Sequence, residues 1–395
     1  MTHRVGVNLA WLVPGVVGGS EEATVGALLA VEDVAATRGI EVVLFGTEQL
    51  VLTHPALGER FEFHRLRLRS GKGARVAAET VVLPRLAGRV GVDLMHHAGG
   101  VVPLAAPGPV ALAIHDTQPL DLPENFSAVK RRYMRLMVPR SVRRATVVTA
   151  PSQFVRSRLV DDLGTPSDKV AVVPWSVPAP RPIDPEAALR VDALVGSTPF
   201  VLYPAIAYRH KNHAVLLDAV GRLRRDRVDV QLVLTGAAGP CDAEVALRSA
   251  APDLAGGVRV LGRIPRQDLD ALIAAASVVA VPSRYEGFGL PALEALSAGR
   301  PTVVSSMGSL PEVVGDGALV VGPDDVSGWV DAIAALLNDD DQVRRLVDAG
   351  HRVAASWTPR RTASALVDAW TSGLERSSSH ISRERVRPER TQESL

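Results

Sequence analysis

Two carboxylates that could hold hydroxyl groups, Glu286 and Glu294, stand eight positions apart. The turn between them carries two glycines, Gly287 and Gly289. A phosphate would repel either carboxylate, so these side chains are better suited to accept hydrogen bonds from hydroxyl groups beside it. A ligand with hydroxyl groups on both sides of a diphosphate, such as a nucleotide sugar, fits this layout.

The backbone of the same turn could hold the diphosphate. An apolar run at 277–281 predicts a buried strand, and Pro291 is suited to open the helix that follows. N–H groups just before a helix have no partner within it and favour an anion. Here they belong to Phe288, Gly289 and Leu290. A plainer interpretation stays open at this point, in which the glycines only turn the chain and Glu294 supports the helix start.

A cationic turn follows the first apolar run of the second half, residues 200–205. It reads Tyr-Arg-His-Lys-Asn-His and contains Arg209 and Lys211. Cations at the carboxyl end of a strand can hold a diphosphate while it departs as a leaving group. The alternative is an exposed basic turn without a ligand.

Two features of the first half also follow apolar runs. Gly18 and Gly19 precede a helical pattern and would allow close approach of a phosphate or sugar. His115 ends the run at 110–114 and could reach into a cleft. Simpler roles are a helix-entry loop capped by Ser20 and a histidine satisfied by nearby backbone.

The elements that must position these residues alternate between apolar runs and helical patterns in both halves. Such alternation predicts parallel sheets covered by helices, with ligands beyond the carboxyl ends of the strands. We therefore predict an α/β fold of two Rossmann-like, doubly wound domains facing across a cleft. The predicted parts are an N-terminal domain at 1–175, a proline-rich linker at 176–198, a second domain at 199–356, a helix at 357–373 that crosses back to the first domain, and a disordered tail at 374–395.

Composition bounds the class of protein. The chain has 395 residues, a hydrophobic content of 47% and a formal net charge of +1, enough for two packed cores and without the charge excess typical of nucleic-acid binding. Its one cysteine, Cys241, excludes an internal disulfide. We expect a cytoplasmic protein without a secretory signal or a membrane-spanning segment.

The stretch from Pro282 to Ala295 closely resembles the Glu-x7-Glu signature of retaining glycosyltransferases with the type B fold, specifically family 4. The resemblance implies that Glu286 holds hydroxyls of the transferred sugar and that Glu294 binds the ribose. It also implies that Lys211 binds the leaving diphosphate. The family's usual arginine falls at Ile206, a departure that Arg209 could compensate.

The resemblance extends to three further positions. It implies that the loop of Gly18 and Gly19 faces the donor diphosphate, that His115 contacts the transferred sugar, and that the backbone at Ile264 touches the nucleobase. No metal and no cofactor beyond the donor sugar is required, because cations take the metal's place at the diphosphate.

The expected activity is that of a retaining hexosyltransferase in cell-surface polysaccharide or glycoconjugate synthesis. The donor would be a nucleoside diphosphate sugar, with GDP-mannose favoured, and the acceptor a saccharide or lipid-linked hydroxyl. Two alternatives stay open, a nucleotide-sugar-binding protein without turnover and a transferase for a small-molecule acceptor. A basic helix near 127–144 suggests peripheral contact with an anionic membrane, although a solvated basic face fits equally well.

Overall fold

A computed structural model describes residues 2–16, 18–67, 72–177 and 180–385. It contains two separate sheets in which all neighbouring strands run parallel. The first sheet has seven strands in the order 3-2-1-4-5-6-7, and the second has six in the order 10-9-8-11-12-13. The predicted fold class, two doubly wound α/β domains, is confirmed.

The strands are short and mostly buried on both faces, as parallel strands under helices must be. Those of the first sheet are β1 (His3–Asn8), β2 (Ile40–Gly46), β3 (Glu62–Arg65), β4 (Leu94–His97), β5 (Val110–Ala113), β6 (Val147–Ala150) and β7 (Val170–Val172). Those of the second sheet are β8 (Phe200–Pro204), β9 (Gln231–Thr235), β10 (Val258–Val260), β11 (Val278–Val281), β12 (Thr302–Ser305) and β13 (Leu319–Val321).

The helices cover both sheets. The first domain contains α1 (Gly19–Thr37), α2 (Glu48–Thr53), α3 (Pro55–Arg60), α4 (Lys72–Ala77), α5 (Leu83–Val90), α6 (Gln118–Asp121), α7 (Ala128–Arg144) and α8 (Gln153–Asp161). The later helices are α9 (Pro185–Val195), α10 (His213–Arg225), α11 (Asp242–Ser249), α12 (Arg266–Ala275), α13 (Leu290–Ser297), α14 (Leu310–Val314), α15 (Val326–Asn338), α16 (Asp340–Ser356) and α17 (Pro359–Arg385). A π-helical turn, Ala78–Val82, joins α4 to α5, and single 3₁₀ turns occur at Pro123–Asn125, Ser167–Lys169 and Arg209–Lys211.

The predicted linker contains a helix that belongs to the second domain. Helix α9 begins with Asp184 capping the N–H of Glu186 at 3.2 Å. Ala187, Val191 and Val195, spaced four apart on one helix face, are buried in one cluster with Ala271 and Leu272 of α12. The segment 185–195 is therefore packed structure, and the connection between the domains is shorter than predicted.

Helix α17 leaves the second domain and packs on the first, mainly against α1. Trp370 is fully buried, and its indole N–H donates to Nδ1 of His96 at 2.7 Å. The helix does not end at Gly373 as predicted. It continues to Arg385, with Leu374 only 8% exposed, so the predicted disordered tail is wrong for 374–385. The rest of that tail, 386–395, lies outside the described residues.

Candidate active site

The glycine turn lies where the two domains meet. It connects β11 to α13, which begins at Leu290, one residue before the predicted Pro291. A Cβ on Gly287 would stand 2.5 Å from the carbonyl oxygen of His115 in the first domain, so only glycine fits there. Gly289 has a φ of +94°, a conformation that L side chains rarely adopt. Glycine is thus needed at both positions, at 287 because the other domain leaves no room for a side chain and at 289 because of the backbone conformation.

Glu286 is held by two side-chain hydrogen bonds. Its Oε1 accepts from Nζ of Lys211 at 2.7 Å and from the hydroxyl of Ser283 at 2.7 Å. The residue is only 9% exposed, and Oγ of Ser283 lies 3.0 Å from the hydroxyl of Tyr203. The structure therefore brings together the predicted cation and the predicted carboxylate, although 75 positions separate them in the chain.

Asp116 faces this pair from the first domain. Its Cβ would be 3.0 Å from a Cβ placed on Gly287. Desolvation raises the pKa of Asp116, the positive charge of Lys211 opposes that rise, and the negative charge of Glu286 adds to it. Of the two neighbouring residues His115 and Asp116, the sequence predicts a site role only for His115.

The start of α13 offers unused hydrogen-bond donors. Within the described part of the chain, no residue accepts a hydrogen bond from the backbone N–H of Phe288, Gly289 or Leu290. The side chain of Phe288 is 1% exposed and packs between the rings of Trp175 and Trp357, with centroids 5.8 and 5.4 Å away. A buried anchor thus fixes a turn whose N–H groups can bind an anion.

The glycine loop of the first domain approaches this helix start. Gly18 caps α1 with a φ of +65°, and a Cβ on Gly19 would lie 3.0 Å from Cδ1 of Leu290. Val17, which precedes them, lies outside the described residues. The loop of Gly18 and Gly19 and the turn before α13, both predicted to contact phosphate, therefore face each other across the cleft between the domains.

His115 stands at the carboxyl end of β5 with its ring between two indoles. The ring centroids of Trp11 and Trp175 are 5.4 and 5.5 Å from that of His115. Its Nε2 lies 2.7 Å from the carbonyl oxygen of Ala98 and donates to it. Burial lowers the pKa of His115, and the hydrogen bond to Ala98 partly opposes this shift. The ring is therefore a neutral imidazole at neutral pH, with Nδ1 as an acceptor.

Glu294 is paired in a way that the sequence did not reveal. Nη1 of Arg266 donates to Glu294 at 2.6 Å and to Glu22 of the first domain at 2.9 Å. Burial raises the pKa of Glu294, and the charge of Arg266 opposes that rise. Arg266 thus connects the predicted ribose-binding carboxylate to the opposite domain.

Other predicted residues lie apart from Lys211. Arg209 lines a separate pocket together with Cys241, Arg248 and Arg284, and neither Lys211 nor Glu286 lines it. Within the described residues, no hydrogen bond or ion pair joins the side chain of Arg209 to Glu286, so its part in the diphosphate site stays a prediction. Ile264 lies in the loop that joins β10 to α12, partly buried against the cluster that includes α12.

Direct contacts close the cleft around these groups. The hydroxyl of Tyr285 accepts from the N–H of Thr117 at 2.9 Å, and the hydroxyl of Ser152 donates to the carbonyl of Gly287 at 2.7 Å. His210 lies between the side chains of Gln118 and Asn125, at 2.9 and 3.1 Å. Burial lowers the pKa of His210 to about 4. The candidate site therefore belongs to a closed arrangement of the two domains.

The fold is that of the type B glycosyltransferases. A glycosyltransferase from Rickettsia africae superimposes with a TM-score of 0.71 at 15% identity, covering 95% of this chain and 99% of that one. Anabaena HepE, solved in complex with UDP and glucose, gives a TM-score of 0.68 at 19% identity, with 96% and 100% covered. At these identities the likeness concerns the fold alone.

Both halves of the chain also match family models. Residues 29–180 match the model described as Glycosyltransferase Family 4, and residues 186–353 match Glycosyl transferases group 1. The two matches together cover most of the sequence. The chain belongs to family 4 of the glycosyltransferases, as its Glu-x7-Glu motif predicts.

Curated relatives match over shorter stretches. The O-antigen chain mannosyltransferase B of Escherichia coli is 34% identical over 57% of this chain and 60% of its own length. The MMP alpha-(1->4)-mannosyltransferase of Mycolicibacterium hassiacum is 42% identical over 36% of each chain. The chain thus spans less than two thirds of these relatives.

Proposed function

We propose that the protein transfers a hexose, with retention of configuration, from a nucleoside diphosphate sugar to a saccharide or lipid-linked hydroxyl. The observation that carries this proposal is the meeting of Lys211, Glu286 and the unused N–H groups of α13 in one cleft. A cation and backbone donors suit a departing diphosphate, and a buried carboxylate suits sugar hydroxyls.

In this mechanism the reaction is a substitution at the anomeric carbon. The bond to the diphosphate oxygen breaks while the acceptor hydroxyl forms the new glycosidic bond, and the hydroxyl proton passes to an oxygen of the departing diphosphate. Lys211 and the N–H groups stabilise the charge that develops on the leaving oxygen. Glu286 holds the sugar, and His115 and Asp116 lie on the opposite wall of the cleft. No residue is assigned as a covalent nucleophile.

Mannose is the first candidate for the transferred sugar. Two relatives with 34% and 42% identity are described as mannosyltransferases. Thermal unfolding of the purified protein against UDP, GDP, dTDP and ADP sugars tests this choice. A donor at about 100 times its dissociation constant stabilises the fold by roughly 2.7 kcal/mol. GDP-mannose should raise the melting temperature most. A larger rise with another donor would identify that donor's sugar instead of mannose, and no rise with any donor would contradict the diphosphate site.

Turnover distinguishes an enzyme from a binding protein. We expect slow hydrolysis of the donor without acceptor, and loss of that hydrolysis in Glu286→Ala. A donor that shifts the melting temperature but is neither hydrolysed nor transferred would favour the binding-protein alternative. The matched control is Glu59→Ala, which removes an exposed carboxylate on α3 of the first domain.

Membrane contact through α7 is a further part of the proposal. Val129 and Leu136 are 82% and 65% exposed on this helix, and Arg132, three positions after Val129 and four before Leu136, lies on the same face. Apolar and basic side chains on one surface suit an anionic bilayer. Within the described ranges, no helix is long and apolar enough to cross a membrane. Co-sedimentation with vesicles containing phosphatidylglycerol, reversed by salt, supports this contact; no sedimentation at low salt contradicts it.

A further inference from the structure

A narrow pocket runs along one face of β4 in the first domain, away from Lys211 and Glu286. Its volume is about 230 Å³. Asp93, Met95 and His97, which alternate along the strand, all line it, so the pocket follows the length of β4. Its remaining walls are mainly apolar and come from α5, from Val92 after that helix, and from residues 106–109, with Leu83, Pro84, Ala87, Pro107 and Pro109 among them. We call this pocket the β4 groove.

One end of the β4 groove is polar. Asn8 donates from its side-chain nitrogen to Oε1 of Glu79 at 2.9 Å, and the same nitrogen lies 3.2 Å from Nδ1 of His97. The amide oxygen of Asn8 accepts from the N–H of Ala10 at 3.1 Å, which fixes the orientation of the amide. Glu79 sits in the π-helical turn Ala78–Val82, a local geometry that is frequent at functional sites.

These contacts determine which nitrogen of His97 carries the proton. Asn8 is the donor, so Nδ1 of His97 must be the acceptor and the proton resides on Nε2. Burial lowers the pKa of His97 to about 3, so the ring is neutral. Among the residues that the structure describes, none accepts a hydrogen bond from this buried Nε2. The groove thus ends at a donor that a ligand oxygen can satisfy.

The polar end lies at the carboxyl ends of two neighbouring strands of the first sheet. Asn8 and His97 are the last residues of β1 and β4, and the cleft lies beyond the carboxyl ends of these strands. Ala98, the next residue, accepts the hydrogen bond from His115. An occupant of the groove therefore has its polar end at the strand ends that border the cleft and its apolar part under α5.

We propose that the β4 groove binds the hydrocarbon chain of the acceptor, with an oxygen of the acceptor at Nε2 of His97. This inference rests on the proposed transferase function, because it names the acceptor as a molecule with an alkyl or isoprenoid chain. Apolar walls favour such a chain, and the polar end places its hydroxyl-bearing head toward the cleft.

Paired probes test the groove on the full chain. Octyl β-glucoside, kept below its micelle concentration, and methyl β-glucoside have the same head and differ only in the chain. We expect calorimetry to show at least about tenfold tighter binding of the octyl compound, because each buried methylene adds affinity. Equal affinity for the two glucosides would overturn the proposal.

Two further measurements locate the bound chain. An octyl glucoside with a terminal diazirine should label residues 83–97 or 106–109 on illumination, and labelling confined elsewhere would contradict the groove. Gly88 lines the groove and a Cβ on it would meet no atom within 4 Å. Gly88→Trp should therefore reduce the octyl preference at least about fivefold, whereas the matched control Gly88→Ala should retain it.

The donor panel keeps the two proposals separate. If nucleotide sugars stabilise the protein but the octyl probe binds no better than the methyl probe, the groove fails and the transferase function stands. If no nucleotide sugar binds, the transferase function and the acceptor role of the groove both fail, whatever the octyl probe does.

Discussion

The two halves of the molecule build their candidate sites in different ways. In the second domain, the key groups lie on a turn of a few residues, and the partner Lys211 follows a neighbouring strand. In the first domain, the polar groups at the β4 groove come from β1, β4 and a π-helical turn, up to 89 positions apart. A site built from one turn leaves a local sequence motif, whereas a site built from separate strand ends leaves none.

The largest expected effect concerns the cation of the second domain. Lys211→Ala should lower kcat by about 10²–10³, because one preorganised group that stabilises the leaving diphosphate is lost. The measurement is initial-rate transfer with the donor found in the thermal screen. Arg209→Ala is the control, since Arg209 lines a different pocket, and we expect it to stay within about threefold of the unchanged protein. Equal losses in both variants would contradict this division of roles.

The closed contact between the domains is the next point to break. Gly287→Ala places a Cβ 2.5 Å from the carbonyl oxygen of His115, so the domains must separate or the turn must distort. We expect kcat to fall roughly 10²-fold, as misplacement of about 1 Å does in active sites. Gly26→Ala on α1, where a Cβ meets no atom within 4 Å, should leave kcat unchanged. A fully active Gly287→Ala protein would show that the closed contact is not needed for turnover.

Acid should weaken the interface between the halves. His210 has its pKa lowered to about 4 by burial, so it is neutral when folded, while the unfolded chain takes up a proton near pH 6.5. The contribution of neutral His210 to the free energy of unfolding is therefore complete above pH 6.5 and is lost as the pH falls toward 4. The contribution of His210 is up to about 3 kcal/mol at the low end. Urea unfolding at several pH values in this range should show that the free energy of unfolding falls less with acid in His210→Gln than in the unchanged protein. The same fall in both proteins would argue that His210 does not cause the acid sensitivity.

The smallest effect tests whether α9 belongs to the second domain. Asp184→Ala removes the N-cap of that helix and should lower the free energy of unfolding by about 1 kcal/mol. Urea unfolding provides the measurement. Glu186→Ala, on a highly exposed side chain of the same helix, is the control and should change stability by less than about 0.5 kcal/mol. No loss in Asp184→Ala would mean that the segment contributes little to the domain.

Much of the fold was accessible from the sequence because parallel strands read as short apolar runs. The candidate site of the second domain was easier to predict, since Gly287, Gly289 and Glu294 form a compact sequence motif. Helix α9 was missed because five prolines between 174 and 185 dominated the interpretation, although Asp184 and Pro185 together are typical of a helix start. The predicted end of α17 is too early, because the charged residues after Gly373 are typical of a disordered tail rather than of a helix.

The site was predicted only in part, because partners are set by packing. Nothing near Glu294 in the sequence indicates Arg266, which is 28 positions away. Asp116 was visible beside His115, but its position opposite Gly287 depends on how the two domains close. Asn8, Glu79 and His97 are single polar residues in unrelated segments, and only the tertiary structure places them together.

Helix α17 has a consequence for how the chain is made. The first domain is synthesised first, yet Trp370, which covers His96 in its core, is among the later residues to leave the ribosome. Domains usually fold in order during synthesis. Here the first domain cannot complete its core until most of the second has been translated, so the half that begins folding first is expected to finish last.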